Sequence, residues 1–151
     1  SRNFNNGRRS YEAASCADCH IFGGMGQAFG PLLDGINQRY SRGTLLEAII
    51  HPNRAIPETY ATTIVTTKSG KIFSGRIDSR DTDGIFLGEN PFSPNDLIRL
   101  ENADIASEQP SAVSPMPSAL INSLNQNELR DLIAYLLSNA NPKNSLFSNS
   151  N

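Results

Sequence analysis

The stretch Cys16-Ala17-Asp18-Cys19-His20 decides how this sequence is interpreted. It contains both cysteines of the 151-residue chain and one of its two histidines. Two cysteines alone cannot build the dense disulfide framework on which small secreted domains rely. The close spacing of Cys16, Cys19 and His20 therefore requires an explanation in local chemistry.

This Cys-x-x-Cys-His pattern is typical of the covalent attachment of a c-type haem. Two thiols at this spacing on one helical turn can each add to one of the two vinyl groups of haem. The residue that follows then lies below the iron. The sequence therefore predicts one haem c bound through Cys16 and Cys19, with His20 as a ligand of the iron.

Two other interpretations of the motif stay open at this point. A structural zinc site needs about four ligands, and His51 is the only other strong candidate. A thioredoxin-like redox pair requires a strand before the motif and a parallel α/β frame after it. The sequence shows neither feature, and we favour haem.

A six-coordinate iron needs a second axial ligand, and the candidates are Met25, His51 and Met116. Met25 follows His20 by only five residues in a glycine-rich loop, on the same side of the iron. A histidine at a helix end, such as His51, is more often a surface residue that interacts with the helix dipole. Met116 lies between two prolines, which limit the entropy lost on ligation. We predict Met116 as the ligand; the alternative is a methionine that fills a gap in the core.

The bulk properties exclude several classes of function. The formal net charge of −2 leaves no basic stripe to neutralise phosphates, which argues against nucleic acid as a partner. No apolar run reaches the roughly 18 residues of a membrane span. The chain lacks an initiator methionine and a signal-peptide core, and we interpret it as a mature or excised fragment. We expect residues 1–151 to form a single domain.

Helical patterns occur on both sides of a central region. We predict a short helix over 7–14 with Asn5 or Asn6 as its cap, and a helix over 41–50 that Ser41 caps and Pro52 ends. A last helix follows a capping box at residues 125–128 and carries an apolar stripe over 129–137. Residues 139–151 are rich in asparagine and serine, and we predict a disordered tail.

The central region, residues 57–109, has the composition of a β structure. Strands are predicted over 60–67, 71–78, 85–87 and 97–100, with a fifth near Ile105. The turn signals lie at residues 68–70 and 81–84. Short antiparallel strands at this spacing indicate a meander or a small, partly closed barrel.

The order of the motifs resembles that of class I cytochromes c. The motifs are Gly7-x-x-x-Tyr11, the Cys-x-x-Cys-His box, Gly30-Pro31-Leu32-Leu33-x-Gly35, Met116-Pro117 and the stripe over 129–137. The resemblance implies that the Pro31 carbonyl accepts a hydrogen bond from Nδ1–H of His20, and that Leu32 packs against the haem. It also implies that Gly7 and Tyr11 meet the last helix.

A longer resemblance covers nearly the whole chain and is to the haem-binding domain common in multidomain proteins of planctomycetes. Residues 35–41, 45–52, 66–71 and 114–117 carry it. In that family the domain often follows a dehydrogenase-like β-propeller in the same polypeptide, which implies a redox partner of that kind. His51 stands where the family usually has an acidic residue, and this departure weakens any ligand role for it.

Together these patterns predict a mainly α cytochrome c fold with an antiparallel β insertion of four to five strands, placed between the third helix and the Met-ligand loop. The predicted function is single-electron transfer in the periplasm or another exported compartment, without enzymatic activity of the chain itself. A haem sensor or a peroxidase-like enzyme with a labile or absent Met116 ligand is the competing hypothesis. The β insertion either takes part in interactions or is a passive elaboration.

Overall fold

The computed structural model describes residues 1–148. The chain divides into two compact units, one made of residues 1–52 together with the chain from 117 onward, and the other of residues 53–116. We call them the helical unit and the β unit, since all α-helices of the described chain lie in the first and all strands in the second. Within residues 1–148, no helix is long and apolar enough to span a bilayer.

The helical unit contains four α-helices in its described part. They are α1 (Phe4–Ala13), α2 (Ile36–Arg39), α3 (Arg42–Ile50) and α4 (Gln126–Leu137). Helix α1 begins three residues before its predicted start, because the side chain of Asn3 accepts the N–H of Asn6 and so provides the cap. The predicted cap residues Asn5 and Asn6 lie inside the helix instead.

The caps predicted for α3 and α4 are confirmed. The Ser41 Oγ accepts the N–H of Thr44 at 3.2 Å, and the Thr44 hydroxyl accepts the N–H of Ser41 at 2.9 Å. Asn125 and Glu128 make the same reciprocal pair at the start of α4, at 3.0 and 2.8 Å. Each pair satisfies two backbone donors that a helix start leaves without partners.

Helices α1 and α4 cross at Gly7. A Cβ atom on Gly7 would lie 2.3 Å from the carbonyl oxygen of Asp131 and 2.7 Å from Cβ of Tyr135, so only glycine permits this approach. Beside the crossing, the buried carboxylate of Asp131 accepts the backbone N–H of Asn3 at 3.0 Å and the side-chain amide of Asn6 at 2.8 Å. The buried core around the crossing comprises Tyr11, Phe22, Ile36, Leu45, Leu132, Ile133, Tyr135 and Leu136.

The segment after α4 differs from the disordered tail that we predicted. The N–H of Arg2 donates to the carbonyl of Leu146 at 3.2 Å, and the ring of Phe147 packs edge-on against Phe4 with a centroid separation of 5.4 Å. The Asn139 side chain also accepts the N–H of Gly35 at 2.7 Å. These contacts hold residues 139–148 against the helices, and composition alone did not reveal them. The rest of the predicted tail, residues 149–151, lies outside the described residues.

The β unit contains a five-stranded antiparallel sheet, which agrees with the prediction of four to five antiparallel strands. The strands are β1 (Thr63–Thr67), β2 (Ile72–Arg80), β3 (Gly84–Gly88), β4 (Leu97–Glu101) and β5 (Ile105–Pro110). In chain order they fall between α3 and α4, and in the sheet they are arranged β4-β3-β2-β1-β5. The first four strands therefore form a meander, and β5 pairs with β1.

The two edge strands of this sheet, β4 and β5, are joined only by the 3₁₀ turn Asn102–Asp104. The four steps from Glu101 to Ile105 span at most roughly 14 Å. A flat sheet would separate its first and fifth strands by about 19 Å. The sheet must therefore curl at this end, as in a partly closed barrel, and it encloses the buried residues Val65, Ile85, Leu87 and Leu100.

The predicted turns close the hairpins of the sheet. Gly70, with φ of +85°, occupies the left-handed position between β1 and β2 that favours glycine. The Asp81 carboxylate accepts the N–H groups of Asp83 and Gly84, each at 2.9 Å, and so shapes the turn between β2 and β3.

Candidate haem-attachment site

The Cys-x-x-Cys-His motif forms a compact turn directly after α1. It begins as a 3₁₀ turn over Cys16–Asp18, behind Ser15 in the left-handed conformation with φ of +58°. The carbonyl of Cys16 accepts the N–H groups of both Cys19 and His20, at 3.2 and 2.9 Å. One turn of backbone therefore carries both thiols and the imidazole, as the attachment of one haem requires.

The imidazole of His20 is oriented by Pro31. Nδ1 of His20 lies 2.7 Å from the Pro31 carbonyl oxygen, and because a carbonyl only accepts, Nδ1 carries the proton. Nε2 then holds the free lone pair, and it makes no hydrogen bond within residues 1–148. Burial lowers the pKa of His20, although the hydrogen bond to Pro31 acts in the opposite direction. The lowered pKa favours the neutral ring, which is the form that can ligate a metal. The pair matches the role that the resemblance implies for Pro31.

Two glycines make room for this histidine. A Cβ atom on Gly30 would lie 2.8 Å from Cε1 of His20, and a Cβ atom on Gly26 would lie 2.0 Å from the carbonyl oxygen of His20. The N–H of Gly30 also donates to the carbonyl of Cys19 at 2.6 Å. The sequence predicted a glycine-rich loop here and placed Gly30 in the motif that carries the family resemblance; the structure adds that Gly26 and Gly30 both pack directly against His20.

The hydroxyl of Tyr11 reaches the motif from α1, which the sequence did not reveal. It donates to the carbonyl of His20 at 2.7 Å, while the ring is fully buried. Burial raises the pKa of Tyr11, so the hydroxyl keeps the proton that it donates. The ring also packs against Phe22 and Tyr135, at centroid separations of 5.9 and 6.0 Å. Tyr11 thereby connects the helix crossing to the motif.

The thiols of Cys16 and Cys19 are free rather than joined in a disulfide. Burial raises the pKa of Cys16 to about 11, whereas a thioredoxin-like pair depends on a lowered thiol pKa. No strand precedes the motif within the described chain, and the sheet is antiparallel, so the parallel frame of a thioredoxin is not there either. Over residues 1–148, no group of three or more histidine, cysteine or acidic side chains is placed to hold a metal ion.

An apolar side chain stands exposed next to this site. Leu32 follows Pro31 directly, and 54% of its surface is accessible. Its carbonyl accepts a hydrogen bond from Arg39 at 3.1 Å, which fixes the backbone there. The free Nε2 of His20, the two free thiols and this apolar residue together fit the donors and the surface that a covalently bound haem requires.

The structure places the other predicted site residues unequally. Met25 makes its contacts within the helical unit. Its sulfur accepts a hydrogen bond from the Arg8 guanidinium at 3.6 Å, and its backbone makes two hydrogen bonds with Phe22, at 2.8 and 3.1 Å. His51 is the exposed C-cap of α3. Met116 is half-buried and is the last residue of the β unit. The remaining predicted site residues all belong to the helical unit: Cys16, Cys19, His20, Pro31 and Leu32.

Comparison with known proteins agrees with this geometry. The chain matches the family described as Cytochrome c over residues 4–86, more than half of its length; the match ends within β3, before α4 and Met116. No curated protein shows significant similarity to it. Cytochrome c domains carry covalently attached haem c, generally act as electron carriers between redox partners, and are typically exported. The chain therefore belongs to the cytochrome c family, and haem c with its iron is its cofactor.

Proposed function

We propose that this chain carries single electrons on a haem c that is bound through Cys16 and Cys19 and ligated by His20 and Met116. The hydrogen bond from Nδ1–H of His20 to the Pro31 carbonyl is the observation that carries the proposal. This bond keeps the proton on Nδ1, so Nε2 of the neutral ring presents its lone pair in a fixed direction. Histidine ligates iron in this state. A catalytic site for acid–base chemistry is not required by this function.

Met116 is proposed as the second ligand for two reasons. The other methionine, Met25, already offers its sulfur to Arg8 and is pinned by its backbone to Phe22. Met116 is flanked by Pro115 and Pro117, whose fixed φ angles limit the freedom that the backbone loses when the sulfur binds iron.

Residues of the helical unit hold the site rather than react, through side chains and through backbone carbonyls. Tyr11 and Pro31 fix His20 at its carbonyl and at its ring, and these bonds need not change when the charge of the iron changes. The buried ring of Phe22 packs beside them. Bound haem c supplies one-electron chemistry, and a histidine–methionine ligand pair raises its reduction potential.

We further propose that residues 57–109 of the β unit are an insertion in the cytochrome fold, between α3 and the Met-ligand loop with which the unit ends. The first residue of the β unit, Asn53, is hydrogen-bonded to Ser114 near the end of the unit, so the chain leaves the unit close to where it enters. Such adjacent ends permit an insertion without distortion of the host fold. As in the planctomycete domains that the sequence resembles, we propose a dehydrogenase domain of the same polypeptide as the electron donor, and the periplasm or another exported compartment as the location.

Replacement of Met116 tests the axial ligation. Ferric Met116→Ala holoprotein should lose the weak charge-transfer band at the red end of the visible spectrum that iron–methionine bonding produces. Met25→Ala is the matched control and should keep the band. Survival of the band in Met116→Ala would refute the assignment. Tight binding of carbon monoxide by the reduced wild type, or rapid peroxide turnover, would support the sensor or peroxidase hypothesis instead.

A further inference from the structure

The two ends of the β unit are joined by one hydrogen bond. Oδ1 of Asn53 accepts the backbone N–H of Ser114 at 2.8 Å, across 61 positions of sequence. Asn53 is the first residue of the unit, and Ser114 lies two residues before its last, Met116. The bond therefore fixes the backbone immediately ahead of the proposed iron ligand.

A second hydrogen bond carries this constraint to Met116 itself. Pro115 and Pro117 have no N–H, so Met116 supplies the only backbone donor of the three residues 115–117. Oγ of Ser114 accepts that donor at 3.1 Å. Asn53, Ser114 and Met116 thus form a chain of two hydrogen bonds that starts at one end of the unit and stops at the methionine.

The segment before this chain is built in the same way. The Ser111 hydroxyl accepts the N–H of Val113 at 3.1 Å, and the N–H of Ser111 donates to the carbonyl of Thr62 at 2.9 Å. Two successive serine turns therefore lead from the end of β5 at Pro110 to Met116. Beyond β5, serine hydroxyls accept the backbone N–H groups of Val113 and Met116 in place of a regular ladder.

We infer that Asn53 is a positioning residue for the axial methionine and acts on it through Ser114. This inference rests on the proposed ligation by Met116. A methionine sulfur binds ferric iron weakly enough that the ligated state depends on how well the backbone holds the side chain in place. Without the Asn53 bond, the Ser114–Met116 segment gains alternative conformations, and external ligands compete more successfully for the iron.

Imidazole binding to the full ferric holoprotein tests the inference. Imidazole displaces the methionine, and the loss of the charge-transfer band reports the displacement. Asn53→Ala should bind imidazole about fivefold more tightly than the wild type, the change expected for one lost intramolecular hydrogen bond. Asn53→Asp keeps an oxygen acceptor and should stay close to the wild type. Asn95→Ala removes an exposed asparagine of the same unit and should have no effect.

Ser114 provides a second, independent variant. Ser114→Ala removes the acceptor of the Met116 N–H but keeps the backbone N–H that donates to Asn53, so it should also tighten imidazole binding. Ser114→Thr retains the hydroxyl and should restore the wild-type affinity. If Met116→Ala abolishes the band while Asn53→Ala and Ser114→Ala bind imidazole like the wild type, the positioning role is refuted and the ligation stands. If Met116→Ala keeps the band, the proposed ligation itself fails.

Discussion

The helical unit and the β unit are stabilised by different means. The helices of the first are short, with 10, 4, 9 and 12 residues, and helices of such length are marginal in isolation. The segment between α1 and α2 contains no strand and no helix longer than a 3₁₀ turn. Hydrogen bonds such as that from Tyr11 to His20 hold it in place. In the β unit, regular ladders surround a separate apolar core. We infer that the helical unit depends on its cofactor for stability, whereas the β unit does not.

Removal of the haem attachment should have the largest effect, and it should change the stability of the helical unit but not that of the β unit. In Cys16→Ala/Cys19→Ala protein we expect haem to pass into the organic phase on acid–acetone extraction. A cofactor that binds only the folded state stabilises it, so its loss should unfold the helical unit. Hydrogen exchange should then show loss of protection in α1 and α4, while β1 and β3 stay protected. Equal loss of protection in both units would contradict the comparison.

A cavity in the β core should produce the opposite pattern. Leu87 is fully buried among the residues of that core, and Leu87→Ala should lower the free energy of unfolding of the β unit by about 3 kcal/mol. The visible spectrum of the haem should stay that of the wild type. Ile72→Ala is the matched control, because Ile72 lies on the same sheet with 69% of its surface exposed, and it should cost less than about 0.5 kcal/mol. A change of the haem spectrum in Leu87→Ala would show that the stability of the β core affects the haem site, to which the β unit contributes the proposed ligand Met116.

The sequence was most informative where a short local pattern determines the structure. The Ser41 and Asn125 caps, the five strands and the turns at Gly70 and Asp81 all follow from nearby residues, and the structure contains each of them. The five-residue motif likewise predicted the haem cofactor that the family comparison supports.

Contacts between distant residues could not be predicted in the same way. The bond from Asn53 to Ser114 spans 61 positions, and the one from Asn3 to Asp131 spans 128. Composition predicted disorder after residue 138, although the ring of Phe147 packs against Phe4 there. Such contacts arise only when the fold brings the partners together, and no periodicity or turn signal along the chain records them.

The smallest predicted effect distinguishes the β unit by its response to acid. The Asp81 carboxylate pairs with Arg99 and also accepts two backbone N–H groups, which lowers its pKa to about 2. The side chain of Arg80 lowers the pKa of Glu108 in the same direction. A carboxylate whose pKa is lower in the folded than in the unfolded state stabilises the fold above its unfolded pKa, about 4. That contribution is lost as the pH falls from about 4 towards 2.

Both pairs are at the surface, where ion pairs are weak and screened by salt, so the effect on the β unit should be small. Asp81→Asn is the informative variant, because its amide oxygen can still accept the N–H groups of Asp83 and Gly84 while the charge is absent. The unfolding of the β unit by urea can be followed through its backbone amides at constant low salt. Between pH 5 and 2, the urea concentration at the midpoint of this transition should fall less in Asp81→Asn than in the wild type. High salt should bring the two curves together. Parallel curves at low salt would show that the pairing of Asp81 with Arg99 adds nothing to the acid response of the sheet.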